Sequence, residues 1–267
     1  MKNLKVKTVF SILLRTFLSM LICGNCNESN SSQFRFCKQC GTKLENNRFT
    51  LNTKNNYKPY IIFLAFAVSS LIYTLIYEQF DNYYGYDYYL YSDLLLIILS
   101  IYYVRTSKLS FSKLYKAPKF NRNLFTLLLF ILPPLAIGNN MLIDYLNYLI
   151  FHYTDYYYYD FLDTNYPVLL SIISIAIIPA IFEELVFRGI IFNELLKTKS
   201  LKKTIFITSI LFTAIHFSIL SIYWLFPFSL LLGYLRAKYR SLWYSMFVHF
   251  IYNLTAILFE IYNYYYY

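Results

Sequence analysis

The sequence predicts an all-α fold, a polytopic transmembrane helical bundle of about seven spans preceded by a small N-terminal zinc ribbon. Of 267 residues, 58% are hydrophobic and only 14% charged, and mean hydropathy is positive, which excludes an ordinary soluble two-domain protein. The apolar runs reach membrane-spanning length, and the loops between them alternate in charge. All four cysteines stand near the N-terminus in two Cys-x-x-Cys pairs.

Residues 1–22 form an N-terminal leader, basic at its start and apolar from Val9, that resembles the first two regions of a signal peptide. No small-residue cleavage site follows, and Met20 lies three residues before Cys23. Translation from Met20 is therefore the expectation, and intact mass of the native protein decides it.

Residues 23–43 read as the ribbon, with Cys23 and Cys26 separated by ten residues from Cys37 and Cys40. Four thiolates at this spacing close a tetrahedral structural zinc site. Neither two disulfides nor a redox Cys-x-x-Cys explains the paired spacing. A segment this small lacks a core, so the metal would supply its folding energy. Thiolates held reduced by zinc put this end in the cytoplasm, where the ribbon is available to a protein partner. Residues 44–58, rich in Asn, Lys and Thr, read as a linker.

Spans are expected at 60–80, 88–104, 124–150, 167–196, 203–220, 221–236 and 241–262. The loop before the second span carries Asp81 and Asp87 and no base, whereas the next carries Arg105, Lys108, Lys113, Lys116, Lys119 and Arg122. Asp155, Asp160 and Asp163 follow, then Lys197, Lys199, Lys202 and Lys203, an uncharged turn near Ser218, and finally Arg236, Lys238 and Arg240. Basic and non-basic loops alternate throughout, which predicts a multi-pass cell-membrane protein with the N-terminus and ribbon cytoplasmic and the C-terminus outside. Since the net charge of +10 resides in these loops, it is a topology signal, and no nucleic-acid partner is expected. Pro133-Pro134 predicts a kinked helix, or a helix plus an interfacial piece, in the third span, and residues 113–119 an amphipathic segment along the inner surface. The tyrosine runs at 156–159 and 264–267 read as interfacial aromatics without a catalytic role.

Glu183, Glu184 and Arg188 interrupt the apolar fourth span. Three unpaired charges near the bilayer centre cost about 8–10 kcal/mol on insertion scales, so such a cluster persists only when its members pair or face a polar cavity. Glu184 and Arg188, four apart, meet on one helix face, while Glu183 points about 100° away. One carboxylate is braced and the other is left for chemistry.

Counting about 1.5 Å per residue from the basic inner ends brings Glu183, His216 and His249 to similar depths. Asn253 shares a face with His249 and Phe212 with His216, each pair four residues apart. His152, among tyrosines at an outer end, reads as interfacial. A carboxylate and an imidazole around one water can deprotonate it as it attacks a carbonyl, and a second His with an Asn carboxamide can donate to the oxyanion. The alternative is a metalloprotease site in which Glu, His and His hold a catalytic zinc, although the sequence lacks His-Glu-x-x-His. Either route hydrolyses an amide within the membrane. A transporter or proton relay uses the same residue types but lacks support from internal repeats.

Three ordered motifs resemble those of the CPBP intramembrane proteases, the CAAX-processing and bacteriocin-processing family also called Abi. They are Glu183-Glu184-Leu185-Val186-Phe187-Arg188, Phe212-Thr213-Ala214-Ile215-His216 and His249-Phe250-Ile251-Tyr252-Asn253. The resemblance implies a protease core at 166–262, with 59–165 as N-terminal transmembrane helices outside it. It also implies that Glu183 and His216 activate water, that His249 and Asn253 hold the oxyanion, and that Glu184 with Arg188 braces the first motif. The family has been described both as metal-dependent and as glutamate-dependent. The implied activity is a CAAX prenyl endopeptidase or related hydrolase acting on a membrane-associated or lipidated protein or peptide. A non-catalytic bacteriocin-immunity factor or membrane scaffold of the same fold is the alternative.

Overall fold

The computed structural model describes residues 20–26, 28–31, 57–80, 85–107, 114–118, 121–152, 154, 156–218 and 220–266. The chain divides into two units, 1–54 and 55–267. In the first, β1 (Met20–Ile22) pairs antiparallel with β2 (Ser29–Ser31), Met20 opposite Ser31 and Ile22 opposite Ser29. Gly24 to Cys26 form the turn. The Cys23 N–H donates to the Glu28 carbonyl at 2.9 Å, and the Asn30 carboxamide closes on the same carbonyl at 2.8 Å. Cys23 is buried. The first Cys-x-x-Cys thus occupies a hairpin tip, whereas Cys37, Cys40, residues 1–19 and the linker from 44 to 56 lie outside the described residues.

The second unit is helical: α1 (Lys58–Phe80), α2 (Tyr86–Ser107), α3 (Arg122–Phe151), α4 (Pro167–Leu196), α5 (Leu201–Ala214), α6 (Ile222–Tyr239) and α7 (Trp243–Tyr266). A 3₁₀ turn at Tyr157–Phe161 precedes α4. Local chemistry sets several boundaries. Asn121 caps α3 by accepting from the Leu124 N–H at 3.1 Å, satisfying a donor that the first helical turn leaves open. Pro167 opens α4, where its missing N–H is harmless. His152 and Arg240 end α3 and α6 in the left-handed conformation.

Four helices are long and apolar enough to cross a membrane: α2 over Tyr86–Arg105, α3, α4 and α7. The apolar part of α1, Tyr60–Leu75, is shorter. The span expected at 203–220 ends as a helix at Ala214. With 14 residues, α5 rises about 21 Å, less than the roughly 30 Å hydrocarbon core. The chain then turns at Ser218–Ser221, whose hydroxyls bond at 2.8 Å, and returns along α5 as α6. Gly233 permits that close return, since a Cβ there would stand 3.0 Å from Ile205 Cγ2. Despite Pro133 and Pro134, α3 is continuous over 30 residues.

One apolar cluster joins α1, α2, α4 and α5 around Ile62, Val104, Val186, Ile190 and Phe212. Another joins α3, α6 and α7 around Leu132, Ala136, Leu232, Val248 and Tyr252. Leu114, expected on an amphipathic surface segment, is buried in the first cluster. Its carbonyl accepts from the Leu242 N–H at 3.0 Å, which fastens the α2–α3 connection to the start of α7. The opposite faces of α1 and α3, including Leu64, Val68, Phe130 and Leu149, are exposed, as lipid-facing surfaces are.

Candidate active site

Two widened turns in α4 set the frame of the site. Over Ile172–Ile177 and Leu185–Ile191 the helix bonds five residues back, with Ile178 N–H on the Ile173 carbonyl and Phe192 N–H on that of Phe187. Such turns break the regular ladder and release carbonyls. Arg188 loses the Phe192 N–H that would normally reach its carbonyl, and Arg236 Nε donates there instead at 3.0 Å. Near the first wide turn, Pro179 has no N–H for the carbonyl of Ile175. The Asn253 carboxamide donates to that oxygen at 2.9 Å. Glu183 and Glu184 end the ordinary helical stretch between the two wide turns.

Glu184 and Arg188 form a fully buried ion pair at 2.8 Å. Arg188 also donates to the Ser229 hydroxyl at 2.7 Å and the Ser229 carbonyl at 3.2 Å, and its guanidinium lies 4.3 Å from the Phe212 ring centre. His249 Nδ1 is 3.2 Å from the same Glu184 oxygen that Arg188 uses, and its Nε2 is 3.9 Å from Glu183 Oε2. His249 therefore stands between the two carboxylates. Among the described residues, Glu183 Oε2 and Glu184 Oε2 both lack a hydrogen-bond partner; what separates them is that the Glu183 side chain keeps 22% of its exposure while Glu184 keeps none.

His216 lies in the turn beyond α5, not on the helix as its spacing predicted. Its Nδ1 is 2.7 Å from the Phe212 carbonyl, one of the acceptors a helix end leaves open. In the neutral ring that bond makes Nδ1 the donor and leaves the Nε2 lone pair available. Phe212 is the hub: besides Arg188 its ring meets His216, His249 and Phe187. Gly189, next to Arg188, lets Leu114 and Leu242 approach, each 3.7 Å from where a Cβ would stand. His152, exposed at the end of α3, lies against Tyr148 and outside this network.

Among the described residues no three His, Cys, Asp or Glu side chains converge as a metal-binding group, and the mechanism proposed below uses none.

Sequence reasoning had not singled out Ser229, Pro179 or Asp93. Ser229 carries no signal of its own. Pro179 had one, since a proline in a membrane helix orphans the carbonyl four residues back. Asp93 had a plainer one: it is the only charged residue between positions 88 and 104.

Residues 165–255 match the Rce1-like type II CAAX prenyl endopeptidase family. That segment holds Glu183, Glu184, Arg188, His216, His249 and Asn253, and it spans roughly a third of the chain. Comparison with curated proteins and with solved structures gives no match. The matched segment and the apolar helices locate the protein in a membrane.

Proposed function

We propose that this protein is an intramembrane endopeptidase that hydrolyses a peptide bond of a membrane-associated or lipidated protein or peptide, of the CAAX-processing type. The observation that carries the reading is the Glu183–His249–Glu184–Arg188 array inside apolar helices, within the segment similar to prenyl endopeptidases. Glu183, with an oxygen lacking a partner, and His216, with Nε2 free of the Phe212 contact, are the proposed groups that take a proton from water as it attacks the scissile carbonyl. The proton then passes to the leaving amine.

His249 and Asn253 are the proposed oxyanion donors. With Nδ1–H on Glu184, a protonated His249 presents Nε2–H, and the flanking carboxylates balance its charge. Asn253 has one amide hydrogen on Ile175 and a second to offer. Glu184 with Arg188 fixes the ring of His249 and keeps α4 in register.

The proposed orientation keeps the N-terminus cytoplasmic and the C-terminus outside. A short α5–α6 hairpin alters the number of crossings by two or by none, so the parity set by the charged loops is unchanged. Zinc held by Cys23, Cys26, Cys37 and Cys40 is proposed for the N-terminal unit, where it would fold the ribbon. One zinc per chain by elemental mass spectrometry, lost in Cys37→Ser, is the expected result. The ribbon is the proposed docking point for a protein partner.

Membrane proteomics of cells carrying wild type or Glu183→Ala tests the function. New C-terminal fragments that disappear in the variant support proteolysis and identify the substrate. Protection of the host from a bacteriocin that persists in Glu183→Ala favours the non-catalytic immunity or scaffold reading.

A further inference from the structure

We propose that Arg236 is a specificity-determining residue whose guanidinium holds the C-terminal carboxylate of the peptide substrate. The inference rests on the endopeptidase reading above and names the group that the site recognises away from the scissile bond.

In the sequence Arg236 stands among the bases at the end of α6, with Lys238 and Arg240, where charged loops alone account for such residues. The structure separates it from them. Lys238 is exposed, as is 58% of the Lys197 side chain, whereas Arg236 is only 8% exposed. A base that merely marks a membrane surface extends its charge to water; this one is turned into the protein. Its Nε donates to the Arg188 carbonyl at 3.0 Å, and its guanidinium carbon lies 5.7 Å from the Phe192 ring centre. Both are neutral partners. Among the described residues no carboxylate pairs with Arg236: Glu184 is held by Arg188 and His249, Glu183 faces His249, and Glu194, further along α4, is held by Lys197 at 2.7 Å. A buried cation without a counter-ion is costly, so the guanidinium calls for an anion.

Geometry and position select the anion. With Nε engaged, the Nη1–Nη2 edge is left, a planar fork that matches the two oxygens of a carboxylate. From Glu183 to Arg188 is five residues along α4, about 7–8 Å toward its basic end, and the Arg188 carbonyl is where Arg236 is anchored. Two to three residues of extended peptide at about 3.3 Å each cover that distance. A chain terminus that follows closely on the scissile bond therefore lands at Arg236, and in a CAAX sequence three residues follow the prenylated cysteine. A lipid phosphate offers similar oxygens, but it stays at the surface, where Lys197 and Lys238 are exposed to meet it and Arg236 is not.

The test uses the full-length protein in phosphatidylcholine nanodiscs and two farnesylated peptides with the same CAAX sequence, one ending in the free carboxylate and one in the carboxamide. Binding is read by fluorescence anisotropy in Glu183→Ala, and cleavage in wild type. The carboxylate is expected to bind about 10-fold or more tightly than the carboxamide, and the difference in cleavage should fall on KM rather than kcat. Arg236→Gln keeps an amide able to reach the Arg188 carbonyl and removes the charge; it should bring the two peptides to equal affinity, and Arg236→Lys should restore part of the preference. Equal affinity while Arg236 is present overturns the proposal, so the comparison decides even where a variant fails to insert. A preference that persists in Arg236→Gln overturns it as well. Equal weakening of both peptides in Arg236→Gln, with a gain in Tm from phosphatidylglycerol that this variant loses, overturns it in favour of a lipid phosphate. Carboxylate preference in binding, lost in Arg236→Gln, together with a wild type that leaves the peptide intact, sinks the endopeptidase reading and keeps the Arg236 assignment.

Discussion

Helices α3 and α4 both contain proline at membrane depth, and they treat it in opposite ways. In α3, Pro133 and Pro134 sit in a continuous helix whose spanning window is only 17% buried. In α4, Pro179 lies between two wide turns, in a window 33% buried, and Asn253 fills the carbonyl that proline leaves open. The contrast extends to their halves of the unit. The α1–α3 half turns Leu64, Val68 and Phe130 outward and contributes Asp93 as its buried acid, while α4–α7 hold the ion pair, His216, His249 and the freed carbonyls. A broken helical ladder is tolerated in a bilayer where other protein groups complete it, and here those groups are residues of the candidate site.

The sharpest way to break this contrast is at the proposed chemistry. Glu183→Ala and His216→Ala are expected to lower cleavage of a farnesylated CAAX peptide at least 10²-fold with insertion unchanged; full turnover by either variant refutes the assignment. Arg188→Ala comes next. It strands the buried Glu184 carboxylate and should cost about 3–5 kcal/mol of stability in reversible unfolding in detergent micelles. A loss below about 1 kcal/mol would mean that Glu184 is not held as an ion pair. Asn253→Ala orphans the Ile175 carbonyl and should cost about 1–3 kcal/mol, together with a fall in kcat larger than any change in KM. Pro179→Ala in that background restores an N–H near Ile175 and should recover part of the stability but not the activity. At the small end, Phe130→Leu on the outward face of α3 should change stability by less than about 0.5 kcal/mol.

Much of this was legible in the sequence for a physical reason: in an apolar chain, polar residues are few and costly, so each one points at something. The bracing of Glu184 by Arg188 followed from a four-residue spacing, and the convergence of Glu183 and His249 from matched depth. What escaped were features that depend on where a helix departs from regularity. Helical spacing placed His216 on α5, but α5 ends at Ala214, and the imidazole holds a carbonyl of that frayed end. The role of Asn253 as a backbone donor required the wide turn at Ile172–Ile177, which periodicity does not encode. Ser229 became visible only once α6 was folded against α4. Asp93 was visible throughout as a lone charge in an apolar span.

The shortness of the α5–α6 hairpin bears on the proposed hydrolysis. A turn that reverses about 21 Å from its starting face strands helix-end amides and the hydroxyls of Ser218 and Ser221 below the far surface of a bilayer of ordinary thickness. Irregular backbone at that level persists where it is sheltered by protein or wetted, and Phe217 beside it is exposed. On the proposed reading, water reaching this apex would stand near His216, so a helix that stops short of the far leaflet would also admit the second reactant of the proposed hydrolysis.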